Sequence, residues 1–281
     1  KRATAQGPKA PHSTKHMTRR ISFVHSWKPL VVCEPLRRFS SMANENALVE
    51  QQVVESLSNV KHNISQLSSK LSLNKEPRLV AVSKTKPVSL IKACYDAGHR
   101  HFGENYVQEL VDKAKELPED VCWHFIGHLQ SNKCKILAQV PNLWVVETVD
   151  SASLANTLNK QLEKVGRKQK IFVQVNTSGE DTKSGVSPKE CTVVVQSIIA
   201  NNPNLQFCGL MTIGDPNASQ EQPDFQCLKK CRDELCSQLN LKAEDIELSM
   251  GMSHDYQQAI EMGSSNVRVG SVIFGERNYS K

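Results

Sequence analysis

Lys84 ends the run Arg78-Leu79-Val80-Ala81-Val82-Ser83-Lys84, three residues before Pro87. A lysine where a buried strand leaves the core is partly desolvated, and burial lowers the pKa of an amine. An amine that spends time neutral can attack an aldehyde and form a Schiff base. The ordinary alternative is a solvated lysine that opens a loop. A second set of residues weighs against that alternative. Ser249-Met250-Gly251-Met252-Ser253 and Val267-Arg268-Val269-Gly270-Ser271 are rich in small residues and hydroxyls. Gly251, Ser253, Gly270 and Ser271 would let backbone N–H groups and side-chain hydroxyls approach phosphate oxygens closely. An amine at one end and a phosphate cradle at the other suit a phosphorylated aldehyde.

The elements that must hold these residues alternate. Short apolar runs centre near Val80, Phe102, Phe125, Val145, Val173, Leu210, Leu248 and Val269. Helical patterns lie between them: Ser89 to Ala97 stops at Gly98, Ser151 to Val165 at Gly166, and Asp255 to Met262 at Gly263, each glycine a natural C-cap. Pro188 opens another helix, running to Ala200, near its first turn. Upstream, Val49, Val53, Leu57, Val60, Ile64, Leu67 and Leu71 recur at steps of three and four, one apolar stripe of an additional N-terminal helix. Eight strands with intervening helices over about 240 residues predict an α/β chain folded as a single (β/α)8 TIM barrel. The chemistry-bearing residues then fall at the C-terminal ends of strands, where such barrels keep their sites. An open doubly wound sheet is the competitor, but no G-x-G-x-x-G follows the first strand.

Charge and cysteine usage narrow the function classes. The chain carries a net charge of +6 over 281 residues, but residues 1–41 contain nine Lys/Arg and a single acid, Glu34, leaving the remainder at −2. A mildly acidic body with no basic stripe argues against nucleic acid as a partner. No apolar run approaches the roughly 20 residues that span a bilayer. The nine cysteines form no C-x-x-C pair, and thiols in a reducing compartment explain them better than metal or disulfides. Residues 1–41 admit two readings. Their Arg- and Ser-rich, acid-poor composition matches an organellar transit peptide, with Arg37-Arg38-Phe39-Ser40-Ser41 as a mitochondrial processing site. Equally, Met42-Ala43-Asn44 reads as a start, with the segment before it upstream sequence. The compartment is mitochondrial under the first reading and cytoplasmic under the second, and residues 42–281 form the barrel under both.

Val82-Ser83-Lys84-Thr85-Lys86, His101-Phe102-Gly103-Glu104-Asn105, Phe125-Ile126-Gly127-His128-Leu129-Gln130-Ser131-Asn132-Lys133, Gly209-Leu210-Met211-Thr212, Ser249-Met250-Gly251-Met252-Ser253 and Val267-Arg268-Val269-Gly270 together resemble the pyridoxal phosphate homeostasis protein family. The likeness runs from about Val49 to Tyr279, with the six motifs in order. It implies the alanine-racemase-like barrel and pyridoxal 5′-phosphate (PLP) held as a Schiff base on Lys84, not on neighbouring Lys86. It further implies that Ser249, Gly251, Ser253, Gly270 and Ser271 hold the phosphate, partly through backbone N–H groups. Arg268 resembles the arginine that faces the pyridine nitrogen in alanine racemases, with a phosphate contact or a structural ion pair as the alternatives. Asn105 lines the pocket or caps the next helix, and Met211 packs beneath the ring. His124 and His128 read as core or rim histidines.

What the cofactor would do follows from acid–base needs. Racemases of this fold require two bases, one of them a tyrosine from an additional β domain. The barrel accounts for nearly all residues after 49, and none of Tyr95, Tyr106, Tyr256 and Tyr279 is an obvious second base. An arginine at the ring nitrogen cannot accept a proton and leaves the ring a weak electron sink. The expectation is therefore a monomer that buffers or supplies PLP, with apo-enzymes that use it as possible recipients. Catalytic residues and metal ligands are not expected. The competing readings are a PLP-dependent racemase or decarboxylase, and a cofactor-free barrel aldolase using the same lysine.

Overall fold

Eight short runs, most of their residues buried, become eight parallel strands of a barrel, whose two faces are both covered. The computed structural model describes residues 34–180, 183–215 and 221–276. Most of the basic leader, with both readings of it, lies outside the described residues. The chain divides into two units, Lys1–Met42 and Ala43–Lys281, and the second holds the barrel.

The strands are β1 (Arg78–Val82), β2 (His101–Glu104), β3 (Cys122–Phe125), β4 (Leu143–Val149), β5 (Gln169–Gln174), β6 (Leu205–Met211), β7 (Glu247–Ser249) and β8 (Asn266–Val269). They pair in sequence order and close on themselves, β1 meeting β8 with Arg78 opposite Asn266 and Ala81 opposite Val269. The crossovers carry α2 (Val88–Asp96), α3 (Val107–Glu116), α4 (Cys134–Leu137), α5 (Ala152–Lys164), α6 (Cys191–Asn201), α7 (Pro223–Leu239) and α8 (Tyr256–Glu261). A one-turn helix, α9 (Ser271–Phe274), follows β8. The barrel, all eight strand positions and the glycine stops at 98, 166 and 263 agree with the sequence expectation. One start differs: α6 begins at Cys191, and Pro188 sits in the turn before it, where its carbonyl accepts the Cys191 N–H.

The N-terminal helix α1 (Glu34–Lys70) buries Val53, Leu57, Val60 and Ile64, each worth about 2 kcal/mol when withdrawn from water. Val49, which belongs to the same stripe, is half exposed, so the packed face begins one turn later than the periodicity suggests. Lys61 and Ser65 of α1 share a depression with Pro77, Arg78 and His99, beside the starts of β1 and β2. The opposite end of the barrel, where β1 delivers Lys84, is left to the site.

Two apolar clusters follow from the pleat. The large one lies between the strands and the surrounding helices. The small one, Val145, Phe172 and Met211, is built from neighbouring strands β4, β5 and β6. Along β4 the partner of Val145 on the same face is Glu147, two residues on. Its carboxylate meets residues of β7 and β8, on the far side of the ring, so this face points into the barrel. The interior is thus partly apolar and partly an ion network.

Candidate cofactor site

Lys84 leaves β1 on a tight turn. The Lys86 N–H donates to the Ser83 carbonyl at 3.0 Å, and Thr85 has φ +63°. A positive φ at the third residue is the mark of a type II turn. The turn sets half-buried Lys84 in the wall of a cavity of about 320 Å³ at the C-terminal end of the barrel. Asn105 after β2, Met211 at the end of β6 and Arg268 on β8 line the same cavity. So do Ser253, Gly270 and Ser271, which follow β7 and β8. Seven of the nine residues anticipated from sequence are therefore brought together. Lys86 also borders the cavity, and its ammonium donates to the main-chain oxygen of Glu276 at 2.9 Å.

Ser249 and Gly251 do not line the cavity; they hold Arg268 from beneath. Ser249 is fully buried, and its hydroxyl accepts from Arg268 Nη1 at 2.5 Å while donating to Glu147 Oε2 at 2.5 Å. The Gly251 carbonyl accepts the Arg268 N–H at 3.0 Å. Gly251 has φ +95°, and a Cβ there would fall 2.5 Å from Cβ of Ala259. Arg268 Nη2 donates to the Thr212 carbonyl at 2.7 Å. Burial lowers the Arg268 pKa and Glu147 opposes the shift; a guanidinium remains charged in any case.

Glu147, which the motifs did not single out, anchors this network. It is fully buried and accepts from His124 Nδ1 at 2.6 Å, from Asn266 Nδ2 at 2.8 Å and from Ser249. Burial would raise its pKa, but hydrogen bonds from His124 and Ser249 and the Arg268 charge outweigh it and hold the carboxyl below its usual range. His124 is fully buried and its pKa is lowered, first by burial, so we assign it as neutral, donating from Nδ1 to Glu147. Its Nε2 then accepts from His101 Nδ1 at 3.0 Å. His124 is the core histidine expected, and His128 stands exposed at the rim with Nδ1 3.0 Å from Ser184 Oγ. The sequence did carry a signal for Glu147. It is the single charged residue of Leu143-Trp144-Val145-Val146-Glu147-Thr148-Val149, a strand buried along nearly its whole length.

Two observations bear on what the cavity accepts. Asn105 Oδ1 is buried and has no hydrogen-bond partner among the described residues. Capping does not explain it, since Tyr106 is the N-cap of α3 and that helix has no side-chain cap. An orphaned acceptor in a cavity wall is a place for a ligand donor. Gly270 carries no side chain, its N–H donates to Ser253 Oγ at 3.1 Å, and α9 starts at the next residue. Loops after strands 7 and 8 together with a short extra helix are where barrels of this kind bind phosphate. Val82, Ile126, Ile213 and Met252 supply apolar wall, and His254 is exposed at the rim. Amine, orphaned acceptor, guanidinium and small-residue cradle fit PLP. Among the described residues no three His, Cys, Asp or Glu side chains gather as metal ligands, and the cysteines are unpaired thiols.

Comparison with known proteins gives the same direction. The family model described as alanine racemase, N-terminal domain, matches residues 56–278. The pyridoxal phosphate homeostasis protein of Homo sapiens is 52% identical over 216 residues, covering 73% of this chain and 78% of that one. The structure of PipY from Synechococcus elongatus with PLP bound superposes with a TM-score of 0.66 at 32% identity, covering 80% of this chain and all of PipY. An alanine racemase from Clostridium difficile, 16% identical with a TM-score of 0.59, shares the fold over 80% of this chain and 58% of its own. The chain belongs to the pyridoxal phosphate homeostasis protein family, whose barrel is that of the alanine racemase N-terminal domain.

Proposed function

We propose that this protein binds PLP covalently on Lys84 and serves PLP homeostasis by holding and supplying the cofactor, without turning over amino acids. The observation that carries the reading is the meeting, in a single cavity, of Lys84, the orphaned Asn105 oxygen, Arg268 and the Ser253–Gly270–Ser271 cradle. The Lys84 amine attacks the aldehyde carbon, a C=N bond replaces C=O, and the oxygen leaves as water with both amine protons. Ser253, Gly270 and Ser271 take the phosphate, Asn105 accepts a donor of the ligand, and Met211 packs against the ring. Arg268, clamped by Ser249 and Thr212, faces the ring nitrogen and leaves it unprotonated. Recipients of the released cofactor are apo-enzymes that use PLP.

Support for a holding role comes from the acid–base groups. Among the described residues no tyrosine lines the cavity. Tyr95 bonds Asp120, Tyr256 accepts from Asn63, and Tyr106 is 60% exposed as the N-cap of α3. One feature favours the enzyme reading, a PLP-dependent racemase or decarboxylase: exposed His254 at the rim could serve as an acid or base. Proton exchange at the α-carbon of amino acids in D2O separates the two. The expected result is a visible absorption band on PLP addition and no exchange above the rate of free PLP. Exchange at enzymatic rates, abolished in His254→Ala, would establish the racemase or decarboxylase reading instead.

A further inference from the structure

Thr85 is a β-branched residue held at φ +63°, a region such residues avoid, and it directly follows Lys84. Backbone in so unfavourable a region persists only where the surroundings over-determine it. Here they are three ionisable side chains, none of which lines the cavity. Lys113 of α3 is 5% exposed, and its ammonium donates to the Ser83 carbonyl at 2.8 Å, to Glu104 Oε1 at 2.7 Å and to Glu109 Oε1 at 2.7 Å. The same Glu109 oxygen accepts the Thr85 N–H at 2.6 Å. Ser83 Oγ donates to Glu104 Oε1 at 2.6 Å.

The consequence is geometric. The Ser83 carbonyl belongs to the peptide unit before Lys84 and the Thr85 N–H to the unit after it. Both units are tied to one ammonium, the first directly and the second through Glu109. An ammonium has three N–H bonds, and these three acceptors use them all, so Lys113 keeps none for a ligand. Burial pushes Glu104 up to about 7 against the pull of Lys113 and the Ser83 hydroxyl. Buried ion clusters can often be replaced by apolar side chains without loss of stability, which makes a positional role the more economical account of this one.

We propose that Lys113, acting with Glu104 and Glu109, is a positioning residue for Lys84: it fixes the two flanking peptide units so that the amine enters the cavity in the geometry needed to capture an aldehyde. This rests on the PLP reading given above. The test compares wild type with Lys113→Met, Glu109→Ala and Glu109→Gln. Three quantities are read: total PLP retained on dialysis, the rate of covalent capture at saturating PLP, and hydrogen exchange of the Thr85 amide in unloaded protein. A misplacement of about 1 Å costs up to about 100-fold in rate, so Lys113→Met and Glu109→Ala are expected to slow capture by about tenfold or more. PLP retention falls less, and Thr85 exchange accelerates. Glu109→Gln keeps the acceptor oxygen and restores both capture and Thr85 protection. Wild-type capture and wild-type Thr85 exchange in folded Lys113→Met and Glu109→Ala would overturn the proposal. Should Lys113→Met not fold, Glu109→Ala, at a partly exposed helix position, decides alone. A wild-type protein that captures no PLP contradicts the functional reading instead, and Thr85 exchange then decides whether the turn is pinned as proposed.

Discussion

At the scale of single residues the site is governed by one buried charge pair acting through a hydroxyl. No direct ion pair joins Arg268 and Glu147; Ser249 stands between them, accepting from one and donating to the other. Removing one partner of a buried charge pair leaves the other uncompensated, at a cost of about 3–5 kcal/mol. Glu147→Gln is therefore expected to lower unfolding free energy by roughly 3 kcal/mol, measured by urea denaturation. It should also weaken PLP retention, since Arg268 loses its anchor. An unchanged urea midpoint would show that Ser249 and the Thr212 carbonyl hold Arg268 without the carboxylate. Sequence alone brought Ser249 and Arg268 into the site but set Ser249 against the phosphate; the structure places it under Arg268, because residues of a short strand alternate faces and Ser249 is the last inward position of β7.

The elements contribute by bringing strand ends close enough to share the cavity. At Gly127 a Cβ would lie 2.0 Å from the Asn105 carbonyl oxygen, so the loop after β3 rests on the backbone of the loop after β2. Gly127→Ala must push the two apart. Overpacking of this kind costs about 1–3 kcal/mol, and here it also displaces Asn105. The expected outcome is a lowered melting temperature together with reduced PLP affinity, and a variant with wild-type affinity would show that Asn105 is not a ligand contact. Element order was legible in the chain because short apolar runs and period-3.6 patterns alternate from Val80 to Val269. Lys84, Asn105, Gly270 and Ser271 were legible as residues at strand ends. The Lys113–Glu104–Glu109 cluster was not, because its members lie on β2 and α3 and meet the Lys84 turn only through tertiary packing. Glu147 escaped for a related reason: its partners come from β3, β7 and β8, up to 119 residues away.

For the whole molecule, buried ionisable groups shape stability against pH. Burial drives His99 and His101 down to about 3, and Glu104 is raised to about 7. The histidines bind fewer protons folded than unfolded, so their contribution is present above about 6.5 and is lost as pH falls toward 3. Glu104 works in the opposite sense: its contribution is present below about 4.3 and is lost as pH rises through 7. Two groups outweigh one between pH 4 and 6.5. The urea midpoint is expected to rise across that interval, and more steeply in Glu104→Gln. A flat or falling midpoint would contradict the burial of these histidines as neutral rings.

The account turns on one covalent bond, and borohydride reduction reads it most directly. Protein incubated with PLP, reduced, digested and mapped by mass spectrometry should carry the reduced pyridoxyl group on Lys84, with Lys86 and Lys113 unmodified. Lys84→Ala, folded to the same melting temperature within a few degrees, should remain unlabelled. Label on another lysine, or no label on the wild-type protein at saturating PLP, would contradict the assignment of this cavity.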